Sequence, residues 1–513
     1  MTFLKTLLTI LVLCAVIVFG LKLLFPLPEE TFAEATERLP AAPDSPLGRA
    51  ILPALERHPD QSGIRPLADG RAAFAARVIL ARQAVSSIDA QYYIWQDDTT
   101  GLMLLEELRA AAERGVRVRL LVDDNGIPGM DALMAELDAL PTAQVRIFNP
   151  FTLRSPKLAS YAFDFRRLNR RMHNKSMTVD GVATVLGGRN IGDIYFAYGE
   201  GTHYFDVDAI AVGPVVDDVA DSFDDYWNSG SAYAAGKILA PAGVPQIAQL
   251  AGLARDSALG AGYREAIREA VLTRQIEDHS LIFEWGDAVL YVDDPAKGLG
   301  QASDDDLVVE DLIAMAEATE TSLDLVSAYF IPGPRGAEVL EGLAESGVRV
   351  RVLTNSLEAT DVMPVHAGYM KYRQGLADSG VELLELRAMR EEAVERSLPE
   401  ILAGSASGLH AKVFGFDGAR VFIGSYNLDP RSARLNTEMG VLVDSPEMAA
   451  SLSDQLERME MYYRVEPDGD GGLVWIEETE GGETVTYDDD PKTSGFQRFM
   501  ARVVGWLPVE WML

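Results

Sequence analysis

One string of chemistry-bearing residues occurs twice in this chain, 237 residues apart, and that repetition constrains the fold more than any other feature. The first copy, RRMHNKSMTVDGVATVLGGRN, carries His173, Lys175, Asp180, Gly187, Gly188 and Asn190. The second, GLHAKVFGFDGARVFIGSYN, carries His410, Lys412, Asp417, Gly424, Ser425 and Asn427 at the same offsets. The likeness extends upstream of both strings. Residues 81–126 and 321–355 each read as strand, helix, strand: Leu104, Leu105, Leu108, Ala111 and Ala112 keep helical spacing, and VRVRLLVDD alternates as a strand does. Tyr93 and Tyr329 are 236 apart, and Gly115 and Gly347, each placed where a helix ends, are 232 apart. Three nearly equal offsets imply two homologous α/β halves, each a largely parallel sheet flanked by helices.

The 513 residues divide accordingly. Residues 1–28 read as a transmembrane anchor, since about 20 apolar residues precede Phe25. No small-residue cleavage site follows the apolar core, so the segment is expected to stay uncleaved. Lys5 lies on one side and Glu29 and Glu30 on the other, which puts the bulk of the chain outside the cytoplasm. Residues 29–48 are a linker rich in Pro, Ala and Glu; residues 49–275 form the first domain, 276–465 the second, and 466–513 a tail. Within the tail, Phe496, Phe499, Met500, Val503, Val504 and Leu507 share one helical face, opposite Arg498 and Arg502. Such a helix lies in a membrane surface or docks on the protein's own core.

A net charge of −33 argues against a nucleic-acid-binding surface, because phosphate backbones need Lys and Arg. With Cys14 as the single cysteine and only six histidines, no thiolate or metal cluster is expected, and no cofactor. The basic run Arg166, Arg167, Arg170 and Arg171 stands out as a phosphate- or headgroup-facing patch.

In a strand, residues i and i+2 face the same way, so His173 with Lys175, and His410 with Lys412, point into one cleft. The Asp180-Gly181 and Asp417-Gly418 pairs read as tight turns, and the glycines before each asparagine offer backbone amides to an anion. Two histidines, two lysines and amide donors suit a phosphodiester. One neutral imidazole attacks phosphorus and the other, protonated, serves the leaving oxygen.

The doubled His-x-Lys-x4-Asp string resembles the signature of the phospholipase D superfamily, and the match runs over nearly all of the chain after the anchor. IGSYNLDPRSARLNTEMGV, TNSLEATDVMPVHAGYMKYR and the terminal LPVEW are most similar to the bacterial cardiolipin synthase group, especially its C-type. The resemblance implies an intrachain pseudo-dimer with one active site between the halves. It implies His173 as nucleophile, His410 as acid, and Lys175, Lys412, Asp180 and Asp417 as catalytic members of the signature. The two aspartates also read as simple turn formers. Asn190, Asn427, Ser425 and Gly188 would meet the phosphate, and Glu438 and Asp206 would orient the histidines. The implied reaction is phosphatidyl transfer through a phosphohistidine, making cardiolipin from phosphatidylglycerol and a second phospholipid. The alternatives are hydrolysis to phosphatidic acid and, further off, a nuclease. The substrates would lie in the bacterial inner membrane, and no partner chain would be needed to complete the site.

Overall fold

The computed structural model describes residues 2–29, 31–32, 34–196, 204–388, 408–479, 481–507 and 510–512. Two mixed sheets organise it. In the first, eight strands run in the order Ser62–Leu67, Asp208–Val212, Ala183–Gly187, Ser176–Val179, Ser87–Tyr92, Arg117–Asp123, Ala143–Phe148, Ala232–Ala234. In the second, the corresponding order is Ala288–Val292, Met439–Asp444, Arg420–Gly424, Lys412–Phe416, Ser322–Ser327, Arg349–Asn355, Glu382–Leu386, Tyr462–Pro467. The two orders are the same, strand for strand. Glu284–Gly286 extends the first sheet at one edge, and Leu473–Glu478 and Thr484–Tyr487 extend the second at the other. We propose Asp287, which joins the two sheets, as the divide between the halves, a little past the 275/276 expected from the sequence.

Each sheet is less parallel than expected. Only the three strands joined by helical crossovers run parallel, Ser87–Tyr92 through Ala143–Phe148 and Ser322–Ser327 through Glu382–Leu386. The strands within each repeated string are antiparallel, because a tight turn centred on Asp-Gly can only return the chain beside itself. Both turns carry positive φ at both central residues, 53° and 64° at Asp180-Gly181 and 55° and 62° at Asp417-Gly418.

The halves share internal chemistry as well as topology. Asp89 and Arg119 lie opposite each other on neighbouring strands and pair through two hydrogen bonds of 2.6 and 2.8 Å. Asp324 and Arg351 repeat this in the second half at 2.7 and 2.9 Å. All four are buried, so each charge is matched where water cannot reach it. The sheets meet face to face over one apolar core. Ile64, Leu186 and Ala209 of the first pack with Val413, Ile423 and Val441 of the second. That shared core brings the two repeated strings together.

The N-terminal helix Thr2–Leu24 includes a stretch, Lys5–Leu24, long and apolar enough to cross a bilayer. Its far end rests on the first half, where Phe25 stacks on Phe163 at 6.2 Å. The terminal helix Gly495–Gly505 docks on the second half through Ala501 and Met500, which pack beside Leu357 and Met363. It nevertheless leaves Phe496, Phe499, Trp506 and Leu507 exposed. Pro508 and Val509 of the LPVEW string lie outside the described residues.

Candidate active site

The two histidines are held by short cross-half bridges just ahead of their strands, not within them. Met172 bridges Thr437, and the His173 N–H donates to the Thr437 carbonyl at 2.9 Å. In the mirror arrangement, Gly408–Leu409 pairs with Tyr204–Phe205, and the His410 N–H donates to the Phe205 carbonyl at 2.7 Å. Each histidine is therefore docked on the segment of the opposite half that carries a carboxylate one residue further on. His173 Nδ1 lies 2.8 Å from Glu438 Oε2, and His410 Nδ1 lies 2.5 Å from Asp206 Oδ2. The pairing is crossed: each imidazole takes its carboxylate from the other half.

The register shows that the two carboxylates are equivalent. Gly187 pairs with Asp208 and Gly424 with Gly440, and Asp206 and Glu438 each stand two residues earlier. The histidine-to-carboxylate spacings differ, 33 residues against 28, but both strings agree as far as Gly187 and Gly424. The extra residues fall in the connection between that glycine and Asp206.

Lys175 and Lys412 complete the cluster. Lys175 Nζ donates to the His173 carbonyl at 2.6 Å; Lys412 Nζ donates to the His410 carbonyl and lies 3.0 Å from His410 Nδ1. All six groups are buried. Burial and the ammonium groups of Lys175 and Lys412 hold the His173 imidazole well below its ordinary value. Burial and Lys412 push His410 down to about 4, against the pull of Asp206. Burial lowers both lysines too, although Glu438 and Asp206 favour their charge. The carboxylates diverge. Burial pushes Glu438 up to about 7 despite Lys175 and hydrogen bonds from Ser425 and Ser432. Burial would raise Asp206 as well, but His410, Lys412 and Arg189 outweigh it and hold that carboxyl below its usual range.

Both imidazoles are thus neutral at neutral pH. With each Nδ1 held by a carboxylate, Nε2 is the atom left for chemistry. A phosphodiester anion entering beside two lysines would raise both histidines, and more readily the one whose carboxylate is already ionised. His173 is therefore suited to attack, and His410 to carry a proton.

The expected anion contacts turn out differently from one another. Buried Asn190 turns its side-chain amide toward the Tyr195 hydroxyl, while its Oδ1 accepts from the Ile94 N–H. The Oδ1 of buried Asn427 makes no hydrogen bond among the described residues. Gly188 and Ser425 do not face an anion with their amides: the Gly188 N–H donates to the Val207 carbonyl and the Ser425 N–H to that of Met439. The Ser425 hydroxyl donates to Glu438 Oε2 at 2.6 Å, so it sets the carboxylate beside His173. Gly188 is required by packing, since a Cβ there would stand 2.1 Å from Asp206 Oδ1.

Asp180 and Asp417 are not brought to the histidines. Each sits at the turn, at the far end of its strand, and binds the start of the neighbouring one. Asp180 accepts from the Val85, Ser86 and Ser87 N–H groups, and Asp417 from those of Glu320, Thr321 and Ser322. Replacing either with alanine is expected to cost about 1–3 kcal/mol of stability, by orphaning backbone donors, and to leave kcat unchanged. Thermal melts and turnover measured side by side check this; a fall in kcat at constant Tm would restore a chemical role.

The arginine run also folds inward. Arg171 pairs with Asp123 at 3.2 Å, Arg167 with Asp164 at 2.6 Å, and Arg170 donates to the Arg434 carbonyl; Arg166 remains exposed. Tyrosines, missed in the sequence, wall the site. Tyr93 meets His173 edge-on at 5.1 Å, Tyr195 and Tyr204 flank His410 at 5.2 Å, and Tyr204 and Tyr329 both donate to Asp361. The matched offset of Tyr93 and Tyr329 was the one signal available for them. His366, Glu385 and Asp490 converge elsewhere in the second half, but Arg373 donates to both carboxylates there and supplies the cation.

Comparison with known proteins places this geometry among relatives. The family described as "Cardiolipin synthase, PLD-like domain" matches residues 78–227 and again 312–460. Cardiolipin synthase C of Escherichia coli is 43% identical over 472 residues, covering 91% of this chain and 99% of that protein. Cardiolipin synthase B of the same organism is 25% identical, over 77% of this chain and 79% of its own. Among solved structures, the phosphatidylserine synthase of Haemophilus influenzae superposes with a TM-score of 0.54 at 16% identity, over 88% of this chain and 95% of that one. That likeness concerns the fold alone.

Proposed function

The chain belongs to the phospholipase D-like cardiolipin synthase family, and from that membership we infer that a phosphatidyl group is carried on His173 between two lipids. The enzyme is a phosphatidyltransferase that makes cardiolipin from phosphatidylglycerol and a second phospholipid. The observation that carries the covalent route is the crossed pairing of His173 with Glu438 and His410 with Asp206 around two buried lysines.

His173 Nε2 attacks the donor phosphorus, and the bond from phosphorus to the headgroup oxygen breaks. His410, protonated on Nε2, gives its proton to that oxygen, and the headgroup alcohol leaves. The imidazole bonded to phosphorus becomes cationic, and Glu438 at its Nδ1 offsets the charge. Lys175, Lys412 and Asn190 hold the non-bridging oxygens. In the second step a glycerol hydroxyl of phosphatidylglycerol attacks, His410 takes its proton, the P–N bond breaks, and cardiolipin is released with both histidines restored. Water in place of the lipid hydroxyl would give phosphatidic acid.

The protein is membrane-associated through its apolar N-terminal helix. We place the catalytic part outside the cytoplasm, on the charge asymmetry of Lys5 against Glu29 and Glu30. The exposed Phe496, Phe499 and Trp506 of the terminal helix support a second contact with the same bilayer.

Incubated with phosphatidylglycerol vesicles, the full chain is expected to produce cardiolipin, with free glycerol released when phosphatidylglycerol is also the donor. Thin-layer chromatography of labelled lipid reads the products. Phosphatidic acid alone would sink the transfer reading and leave a hydrolase.

A further inference from the structure

An apolar cavity of about 430 Å³ opens in the second half, between the helices Val308–Glu317 and Gly333–Glu345 and the sheet beneath them. Leu312, Leu325, Phe330, Leu340, Phe414 and Phe416 form its wall. In the first half the equivalent helices Gly70–Gln83 and Thr99–Glu113 are covered by Ile247–Asp256 and Ala258–Glu269, whose Ile247, Tyr263 and Ile267 join the core, and the cavity left between them is ringed by charged side chains, among them Arg82, Glu106, Glu107, Arg255 and Arg264. The asymmetry gives the second half the more apolar groove, of the size that holds small ligands.

The groove adjoins the active site. Phe414 and Phe416 follow Lys412 at two-residue steps and so lie on its face of the strand. Tyr426 and Leu428, also in the wall, flank Asn427. Buried Asp429 lines the cavity and is close enough to Lys412 and Glu438 for its charge to act on both. At the opposite, outer end the rim is charged: Arg335 pairs with Glu310 at 2.6 Å, and Arg434 reaches the same carboxylate at 4.0 Å. Glu510, just beyond the terminal helix with its exposed aromatic side chains, completes the rim.

We propose that this cavity holds one fatty acyl chain of the phospholipid that is cleaved at His173. The proposal rests on the phospholipid reading of the site given above. Its occupant is argued from position: the phosphodiester and the chain belong to one molecule, and this apolar volume is lined by residues that flank Asn427 and share the strand face of Lys412. A diacyl lipid is thereby selected over a water-soluble phosphodiester, since each methylene buried in the groove contributes to binding.

Phosphatidylglycerols of increasing chain length, presented in mixed micelles at fixed surface concentration, test it. For the wild-type chain, kcat/KM is expected to rise by up to about fourfold per added methylene until the groove is filled. Ala316→Trp and Val339→Trp enter the cavity from opposite helices, both at half-buried positions. Each is expected to flatten the series and to cut the long-chain advantage at least about tenfold, while short-chain turnover is kept. An unchanged series in both variants overturns the proposal, as does an equal loss at every chain length. The unmodified protein gives an independent reading, with phosphatidylglycerol carrying a diazirine at the end of one acyl chain. Photolabel is expected on peptides containing Leu312 or Leu340, and label confined to the N-terminal or terminal helix overturns the assignment. Failure of the phospholipid reading itself would look different, as no turnover at any chain length.

Discussion

His173→Ala and His410→Ala are each expected to lower turnover by about ten-thousand-fold or more, with little change in Tm. The size follows from the direct part each imidazole takes, one as nucleophile and the other as acid and then base. The fold should persist, because Glu438 keeps its hydrogen bonds from Ser425 and Ser432 when His173 is lost, and Asp206 keeps the Arg189 charge when His410 is lost. The two variants should fail at different steps. With a donor whose leaving group needs no proton, such as a nitrophenyl phosphodiester, His410→Ala should still form the covalent adduct and then stall, because no base activates the acceptor. His173→Ala should form none. Rapid quenching with labelled donor reads the adduct directly. Label on His410 in the His173→Ala protein would reverse the roles, and label in neither variant would end the phosphohistidine route.

Most of the fold was legible, and for a definite reason. The repeated strings and the equal offsets of Tyr93 and Tyr329 are local facts, and two copies in register imply two halves with one topology. The turn chemistry was also local: an Asp-Gly pair at positive φ joins antiparallel strands wherever it occurs. What sequence could not show was which side chains meet across the interface. Glu438 and Asp206 were both in view, yet their unequal spacings, measured within each half, suggested weak equivalence. In space each serves the other half's histidine, so the within-half distance measures only the length of a connection. The inward turn of Arg171 was hidden because its partner Asp123 lies 48 residues earlier in the same half, whereas Arg167 pairs with Asp164 only three residues before it, a contact the sequence did offer. Asp180 and Asp417 show the converse error. Their regular placement in a catalytic string reflects the regular need to tie a turn to the adjoining strand, and a repeat duplicates scaffolding as faithfully as chemistry.

The crossed carboxylates are the second place where a large effect is expected, and they should differ from each other. Glu438→Gln and Asp206→Asn keep shape and remove charge, and each is expected to lower kcat/KM by about a hundred- to ten-thousand-fold. Glu438 is held up to about 7 by burial, so near neutrality it passes from protonated to ionised as pH rises. Only the ionised form can offset the positive charge that forms on His173 during attack, so the wild-type rate should fall as pH drops through about 7. Glutamine fixes the neutral state, and Glu438→Gln should therefore be slow and lack this acidic limb. Asp206 is held below its usual range and is ionised throughout that interval, so Asp206→Asn should be slow yet keep the limb. A pH profile of kcat/KM with short-chain phosphatidylglycerol separates the cases; a limb that survives in Glu438→Gln belongs to another group. The crossing itself is tested by combining changes. His173→Ala with Glu438→Gln should be no worse than His173→Ala alone, because the two act as one unit although they come from opposite halves. In the variant that keeps both histidines, Asp206→Asn with Glu438→Gln, the losses should instead accumulate, since each carboxylate serves a different imidazole. If Glu438 were coupled to His410, the histidine of its own half, the non-additive pair would be that one.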